Sequence, residues 1–370
     1  MFDKIHILSP VRFPTLASHQ ASIFDKADVG GLAVQSPTGL PDEIQRGNSF
    51  KLQDLGLLHH FTLYTAPTIG AIQSDLYCHI WRYEVPRLAQ SHGFLMHAML
   101  GFAAAHRTAT STVHPKVQEL DVIRDHYSQA LSLFRDAVQQ ITVETAEPLL
   151  LFSILTSFLT LYLEGANHVA DSELMSGVVS FFRVVQMSTQ VLDQVRAYLD
   201  SSAVGVLLSH SWNKTPHAIH PEAESSLHTV DCLKRTYLSS TPVSHSSNAS
   251  SKKDEATPLS DALSKLRRVF SLSDPKGKGC PFILAWPTGI DAEFVTLLRE
   301  ENPVALCALA HWFVPVFQAP EKWWVGEWPR RVLTNIARRL QGTTWEEAIL
   351  WPMKETIGEI GLSGNNSLDT

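Results

Sequence analysis

The chain has 370 residues, 44% of them hydrophobic and 18% charged, with a net charge of −7. That is enough for one large domain or two small ones with a sizeable core. It argues against a duplex-DNA reader working through its own basic patch, because phosphate neutralisation supplies most of such a protein's affinity.

Residues 1–48 lack helical periodicity and carry Pro10, Pro14, Pro37 and Pro41 with Gly30, Gly31 and Gly39, so they are expected to form a flexible, extended arm. No apolar run follows a basic stretch there, so no secretory signal is read, and the sequons at Asn213, Asn248 and Asn365 are expected to be unused. From Leu52 the spacing is helical through Leu55, Leu58 and Thr62. A second helical segment carries Ile69, Ile72, Leu76 and Ile80, and Pro86 is expected to interrupt the chain after it. Residues 92–107 give the clearest helix, with Leu95, Met99, Phe102 and His106 on one face. The next runs from Pro115 to about Gln140. Pro148 then opens a helix to Leu163 that is shorter than a bilayer span and broken by Ser153, Thr156, Ser157 and Thr160, which reads as a buried core helix. Two helices are expected over 172–186 and 189–209. The serine-rich stretch 239–258 reads as a flexible surface insertion. Helices return over Pro258–Phe270, from Pro303 (with Asn302 as N-cap) to Pro315, over Pro329–Leu340 and from Thr344 to about Glu359. Residues 361–370 are expected to be a disordered tail. No segment alternates as a strand would. The expected fold is all-α: a single helical bundle over 49–360 with an apolar pocket.

The four cysteines, Cys78, Cys232, Cys280 and Cys307, lie far apart with no C-x-x-C. This spacing excludes a cysteine-based zinc module and argues for free, mostly buried thiols in a reducing compartment. The basic pairs Arg330-Arg331 and Arg338-Arg339 read as a solvated helix face. His217 and His220 have metal-like spacing but no acidic companions, so no metal is assigned. The chain has no G-x-S-x-G elbow, P-loop, G-x-G-x-x-G or H-E-x-x-H, so any catalysis would need no cofactor.

Seven of the nine tryptophans lie after residue 280, and large aromatic faces suit a flat apolar ligand. The candidate walls are Phe158, Phe182, Trp312, Phe317, Trp323, Trp324 and Trp328. His106 and His311 are the candidate proton or hydrogen-bond donors. Core packing is the competing reading for each of these residues.

The segment Leu52 to Thr62, reading LQDLGLLHHFT, resembles the opening of the regulatory domain in fungal sterol-uptake-control-type zinc-cluster transcription factors. Trp81, Val85 to Ala89, His92 to Leu100 and Ala103 to His106 continue the series. It resumes at His126 to Arg135, Pro303 to Ala310, Trp323 to Trp328 and Trp351 to Met353. The resemblance implies a helical bundle with a sterol-sensing apolar pocket; the family's cysteine-rich module is expected to be missing here. The chain also resembles the motif-poor hetero-Diels–Alderases ascribed to fungal tropolonic sesquiterpenoid pathways.

The main functional expectation is a cofactor-free cyclase of hetero-Diels–Alder type, joining an o-quinone methide to a terpene alkene by proximity and a positioned donor. The alternative is a sterol- or metabolite-sensing transcriptional regulator acting through a partner; a bare carrier protein is the third reading. Each takes an apolar small molecule as partner, with no direct nucleic-acid contact and no membrane span, and a homodimer stays open. The expected location is cytoplasmic, or nuclear for a regulator.

Overall fold

A computed structural model describes residues 50–69, 75–111, 117–166, 170, 173–199, 202–207, 216–239, 248–272, 284–318 and 323–358. Among these no residue is in a strand, and the fold is all-α. The arm 1–48, the tail 361–370, Cys280 and the serine-rich residues 240–247 lie outside the described residues.

The first half is built on α1 (Leu52–His60), α2 (Asp75–His79), α3 (Val85–Ala89), α4 (Gly93–Thr110), α5 (Val117–Ala137) and α6 (Val143–Ala166). Helix α4 is central and packs on α1, α3, α5 and α6. Its face Leu95, Met99, Phe102 and His106 is buried, as the periodicity requires. Gly101 permits the close approach: a Cβ there would lie 3.2 Å from the His126 Cβ and 3.3 Å from a Leu159 methyl.

Helix α1 does not bury the expected stripe. Leu52 is 84% exposed and Leu55 58%, whereas Leu57 and Phe61 are buried. Asp54 sets the rotation. Its carboxylate accepts the Lys51 backbone N–H at 2.7 Å and lies 3.5 Å from the buried His126. The residues three and seven positions on therefore face inward.

Two π-helical turns come next, Phe61–Thr65 and Ile80–Glu84, and each precedes a proline by two residues (Pro67 and Pro86). The Ala66 N–H bonds the Phe61 carbonyl and the Val85 N–H the Ile80 carbonyl, both five residues back. Pro86 therefore does not interrupt the chain as expected: the wider turn absorbs it and α3 continues. The Thr62 carbonyl, whose partner five residues on would be Pro67 with no N–H, instead accepts the Arg82 Nε–H at 3.2 Å.

Helix α6 starts five residues earlier than expected and takes Pro148 inside. By length and composition alone it could cross a membrane, yet two thirds of its apolar stretch is buried in the protein. The four hydroxyls within its apolar run are satisfied locally. Ser153, Thr156, Ser157 and Thr160 donate to the carbonyls of Leu149, Phe152, Ser153 and Thr156 at 2.7–2.8 Å.

The second half comprises α7 (Leu174–Leu199), α8 (Pro221–Ser239), α9 (Asn248–Leu272), α10 (Ala285–Gly289), α11 (Ala292–Arg299), α12 (Pro303–Gln318), α13 (Trp328–Leu340) and α14 (Leu350–Ile357). The two helices expected over 172–209 are one through Leu199, because Ser188 and Thr189 donate back to the Val184 and Val185 carbonyls within the helix. Residues 248–258 of the serine-rich stretch form the start of α9 rather than a loop. Helix α12 runs past Pro315 to Gln318, since a proline so close to the end gives up only the bond to the His311 carbonyl. Its N-cap is as expected: Asn302 Oδ1 accepts the Val304 and Ala305 N–H groups at 3.0 and 3.4 Å. Helix α13 buries Val332, Leu333, Ile336 and Leu340, while Arg330 pairs with Glu327 and Arg339 with Glu301. The last segment is shorter than expected, a 3₁₀ turn (Glu347–Ile349) followed by α14.

Candidate functional site

His106 sits on the last turns of α4, 6% exposed, beneath the first π turn. Its Nδ1 is 3.1 Å from His60 Nε2 and 3.1 Å from the Thr65 hydroxyl. The polar chain continues outward: the Thr68 hydroxyl donates to the Thr65 carbonyl at 2.8 Å and accepts the Trp323 indole N–H at 2.9 Å. Trp323 in turn packs its ring 4.8 Å from both His106 and Phe102 and 6.0 Å from Tyr162. Phe158 bridges Phe102, at 6.3 Å, and Trp324, at 4.6 Å. Tyr64 is exposed and its ring lies tilted 5.2 Å from His60, and Trp323 and Phe158 are half-buried.

Burial, and then the neighbouring His60, hold the His106 pKa down to about 4, so the ring is neutral at neutral pH. Burial likewise lowers His60, helped by Arg107 and His59. In the tautomer whose Nδ1 accepts from Thr65 or His60, the His106 proton is on Nε2, which has no hydrogen-bond partner among the described residues. That tautomer presents one uncharged N–H beside the rings of Trp323 and Phe102. It suits a single hydroxyl or carbonyl on an apolar molecule and does not suit a carboxylate, which would call for a fixed positive charge.

A second polar cluster joins α1, α4 and α5. His97 Nδ1 lies 3.0 Å from His126 Nδ1, and His126 Nε2 lies 3.5 Å from the Asp54 carboxylate. His97 Nε2 is buried without a hydrogen-bond partner among the described residues. Burial, then His126, push His97 to about 4, while Asp54 partly opposes this. The cluster ties α1 to the core, and the sequence gives no hint of it because its members come from three helices.

The other candidates gather elsewhere. The fully buried His311 donates from Nδ1 to the Cys307 carbonyl at 2.7 Å, accepts the Ser226 hydroxyl at Nε2 at 2.8 Å, and stacks on Trp351 at 5.7 Å. Burial holds it too at about 4. Trp312, Phe182 and Trp328, all fully buried, pack with Phe181, Trp286 and Phe313 in one aromatic cluster. Phe317 is partly buried against the core. Of the expected residues, the fold thus brings together His106, Trp323, Trp324 and Phe158, and places His311, Trp312, Phe182 and Trp328 in the second half. His60, Thr65, Thr68 and Tyr162 were not anticipated. The His59-His60 pair held a usable signal: adjacent residues face different ways, and here His59 is exposed while His60 turns inward. Among the described cysteines, Cys307 is buried and Cys78 and Cys232 are half-buried. His217 and His220 are exposed, and the described residues hold no group of metal-binding side chains.

Residues 56–179 match the fungal specific transcription factor domain. The chain is 27% identical over 278 residues to a Zn(2)-C6 fungal-type transcription factor, afumD, of Aspergillus fumigatus, covering 70% of this chain and 66% of that protein. It is 36% identical over 114 residues to sterol uptake control protein 2 of Candida albicans, and 36% over 110 residues to that of Saccharomyces cerevisiae. Those two matches cover 30% of this chain, and 15% and 11% of the respective relatives. The chain thus spans just under two thirds of the first relative and a small part of the other two. It carries a fungal transcription-factor-like domain. The expectation of a hetero-Diels–Alder cyclase is corrected by this finding: the relatives are transcription factors, and the alternative of a regulator is the better reading. The geometry agrees. The two proposed donors lie in separate clusters, both held neutral well below the pKa that efficient acid catalysis near neutral pH requires.

Proposed function

We propose that this chain is the ligand-sensing part of a nuclear transcriptional regulator, and that its ligand is an apolar molecule of the sterol type anchored through one hydroxyl at His106. One observation carries this reading. The stretch that matches the transcription factor domain, 56–179, is the stretch that supplies His60, Thr65, Thr68, Phe102, His106, Phe158 and Tyr162. A sterol offers a flat apolar body for Trp323 and Phe102 and a single polar end for a single neutral donor. The names of the two sterol uptake control relatives favour the same ligand class. Trp324 and Phe158 extend the wall, while Phe182, Trp312, Trp328 and His311 hold the second half together. No zinc cluster can be formed by these four cysteines, so contact with DNA is assigned to a segment or partner outside these residues.

The test is a fluorescence titration of the purified chain with ergosterol. Saturable quenching is expected, lost in Trp323→Phe and weakened about tenfold in His106→Ala, the loss of one buried hydrogen bond of about 1.5 kcal/mol. Equal affinity in all three proteins, or no saturable binding in any, would sink the proposal.

A further inference from the structure

Helices α7 and α11 leave a half-open cleft between them, away from the aromatic wall. It has a volume of about 120 Å³, is open to solvent on one side, and is lined by Arg183, Gln186, Ala292, Val295, Thr296 and Arg299. The lining falls into register: Arg183 and Gln186 are one turn apart on α7, and Ala292, Val295, Thr296 and Arg299 are spaced i, i+3, i+4, i+7 on α11.

Neither arginine has an acidic partner among the described residues. Arg87, Arg267, Arg330 and Arg339 are each paired with a glutamate, whereas the charges of the two cleft arginines are left for a ligand. The acids nearest in sequence, Asp291, Glu293 and Glu300, are not part of the lining, and Asp291 lies 3.9 Å from the Lys265 ammonium. Two like charges lining one small cleft repel each other, and an anion bound between them would relieve that repulsion. The remaining polar groups are already oriented. Gln186 donates one amide N–H to the Ile290 carbonyl at 2.9 Å, which leaves its second N–H for a ligand, while the Thr296 hydroxyl is spent on the Ala292 carbonyl at 3.1 Å.

We infer that this cleft is a second ligand site, for a phosphate-bearing small molecule. A carboxylate has two oxygens and is satisfied by one guanidinium fork, whereas a phosphate has enough oxygens for two forks at once. Ala292 and Val295 give the cleft an apolar side that accommodates a short hydrocarbon part next to the phosphate. The site lies beyond the matched stretch on α11 and is independent of the sterol reading.

The experiment is thermal melting of the full chain with inorganic phosphate, inorganic pyrophosphate, dimethylallyl diphosphate and acetate, each at millimolar concentration and constant ionic strength. Concentration-dependent stabilisation by at least one phosphate compound, with none from acetate, is the expected result. A larger effect of the prenyl compound than of pyrophosphate identifies an organic diphosphate as the ligand; equal effects identify the bare anion. Arg183→Gln and Arg299→Gln, both at exposed positions, are expected to weaken the effect at least tenfold. Arg183→Lys with Arg299→Lys should weaken it too, because charge remains while the forks are lost. Arg330→Gln, which changes a paired surface arginine elsewhere, should leave it intact. Stabilisation that acetate matches, that persists in the Arg183 and Arg299 variants, or that no phosphate compound produces would overturn the assignment.

Discussion

At the scale of single residues, the buried histidines are the most informative groups. His97, His106 and His311 are each held near a pKa of about 4, against roughly 6.5 in an unfolded chain. The folded protein therefore binds fewer protons than the unfolded one between those values. Stability is fully present above pH 6.5 and falls as the pH drops towards 4. At pH 5 each histidine is expected to contribute about 2 kcal/mol of destabilisation relative to pH 7. Urea unfolding at pH 7, 6 and 5 checks this, and a flat profile would mean that the rings are not buried as described. His106 was legible in the sequence because it completes an apolar face at helical spacing. Its partners were not, because His60 and Thr65 reach it through a π turn that ordinary 3.6-residue reasoning does not foresee. Trp312 separates the packing role from the binding role: Trp312→Ala should cost about 3–5 kcal/mol in stability, as for a large core truncation. A variant of normal stability with lost ergosterol affinity would instead make Trp312 part of the site.

At the scale of elements, the sequence predicted helices well where apolar periodicity was strong, as in α4, or where a long apolar run followed a start signal, as in α6 and α12. It failed at helix boundaries, where proline was taken as a break and where one long helix was divided in two. Pro86 and Pro315 are tolerated, the first by a π turn and the second by lying near a helix end. Ser188 and Thr189 bond within α7 and do not divide it. Helix α1 was rotated wrongly because leucine spacing outweighed Asp54, whose polar contacts with Lys51 and His126 decide which face turns inward. Close packing of α4 on α5 and α6 rests on Gly101, where a Cβ would already meet two neighbours at 3.2–3.3 Å. Gly101→Val is expected to destabilise by about 1–3 kcal/mol through overpacking. Chemical denaturation measures it, and an unchanged midpoint would show that the three helices have slack.

At the scale of the whole molecule, the aromatic residues fall into two groups. Those before α13 and on α4 and α6 surround His106; those on α7, α10 and α12 fill the interior of the second half. Residue counts alone could not separate these, since tryptophan enrichment looks the same in a core and in a site. The match to a fungal transcription factor domain over 56–179 falls on the half with the donor. It turns a bundle with no catalytic motif into a candidate sensor. The most direct test joins the chain to a heterologous DNA-binding domain and follows a reporter gene in yeast with and without sterol depletion. The account predicts reporter output that changes several-fold with sterol supply, and that no longer changes when His106→Ala and Thr65→Val are introduced into a normally expressed fusion. Output indifferent to sterol supply, or a response that survives both substitutions, would contradict it.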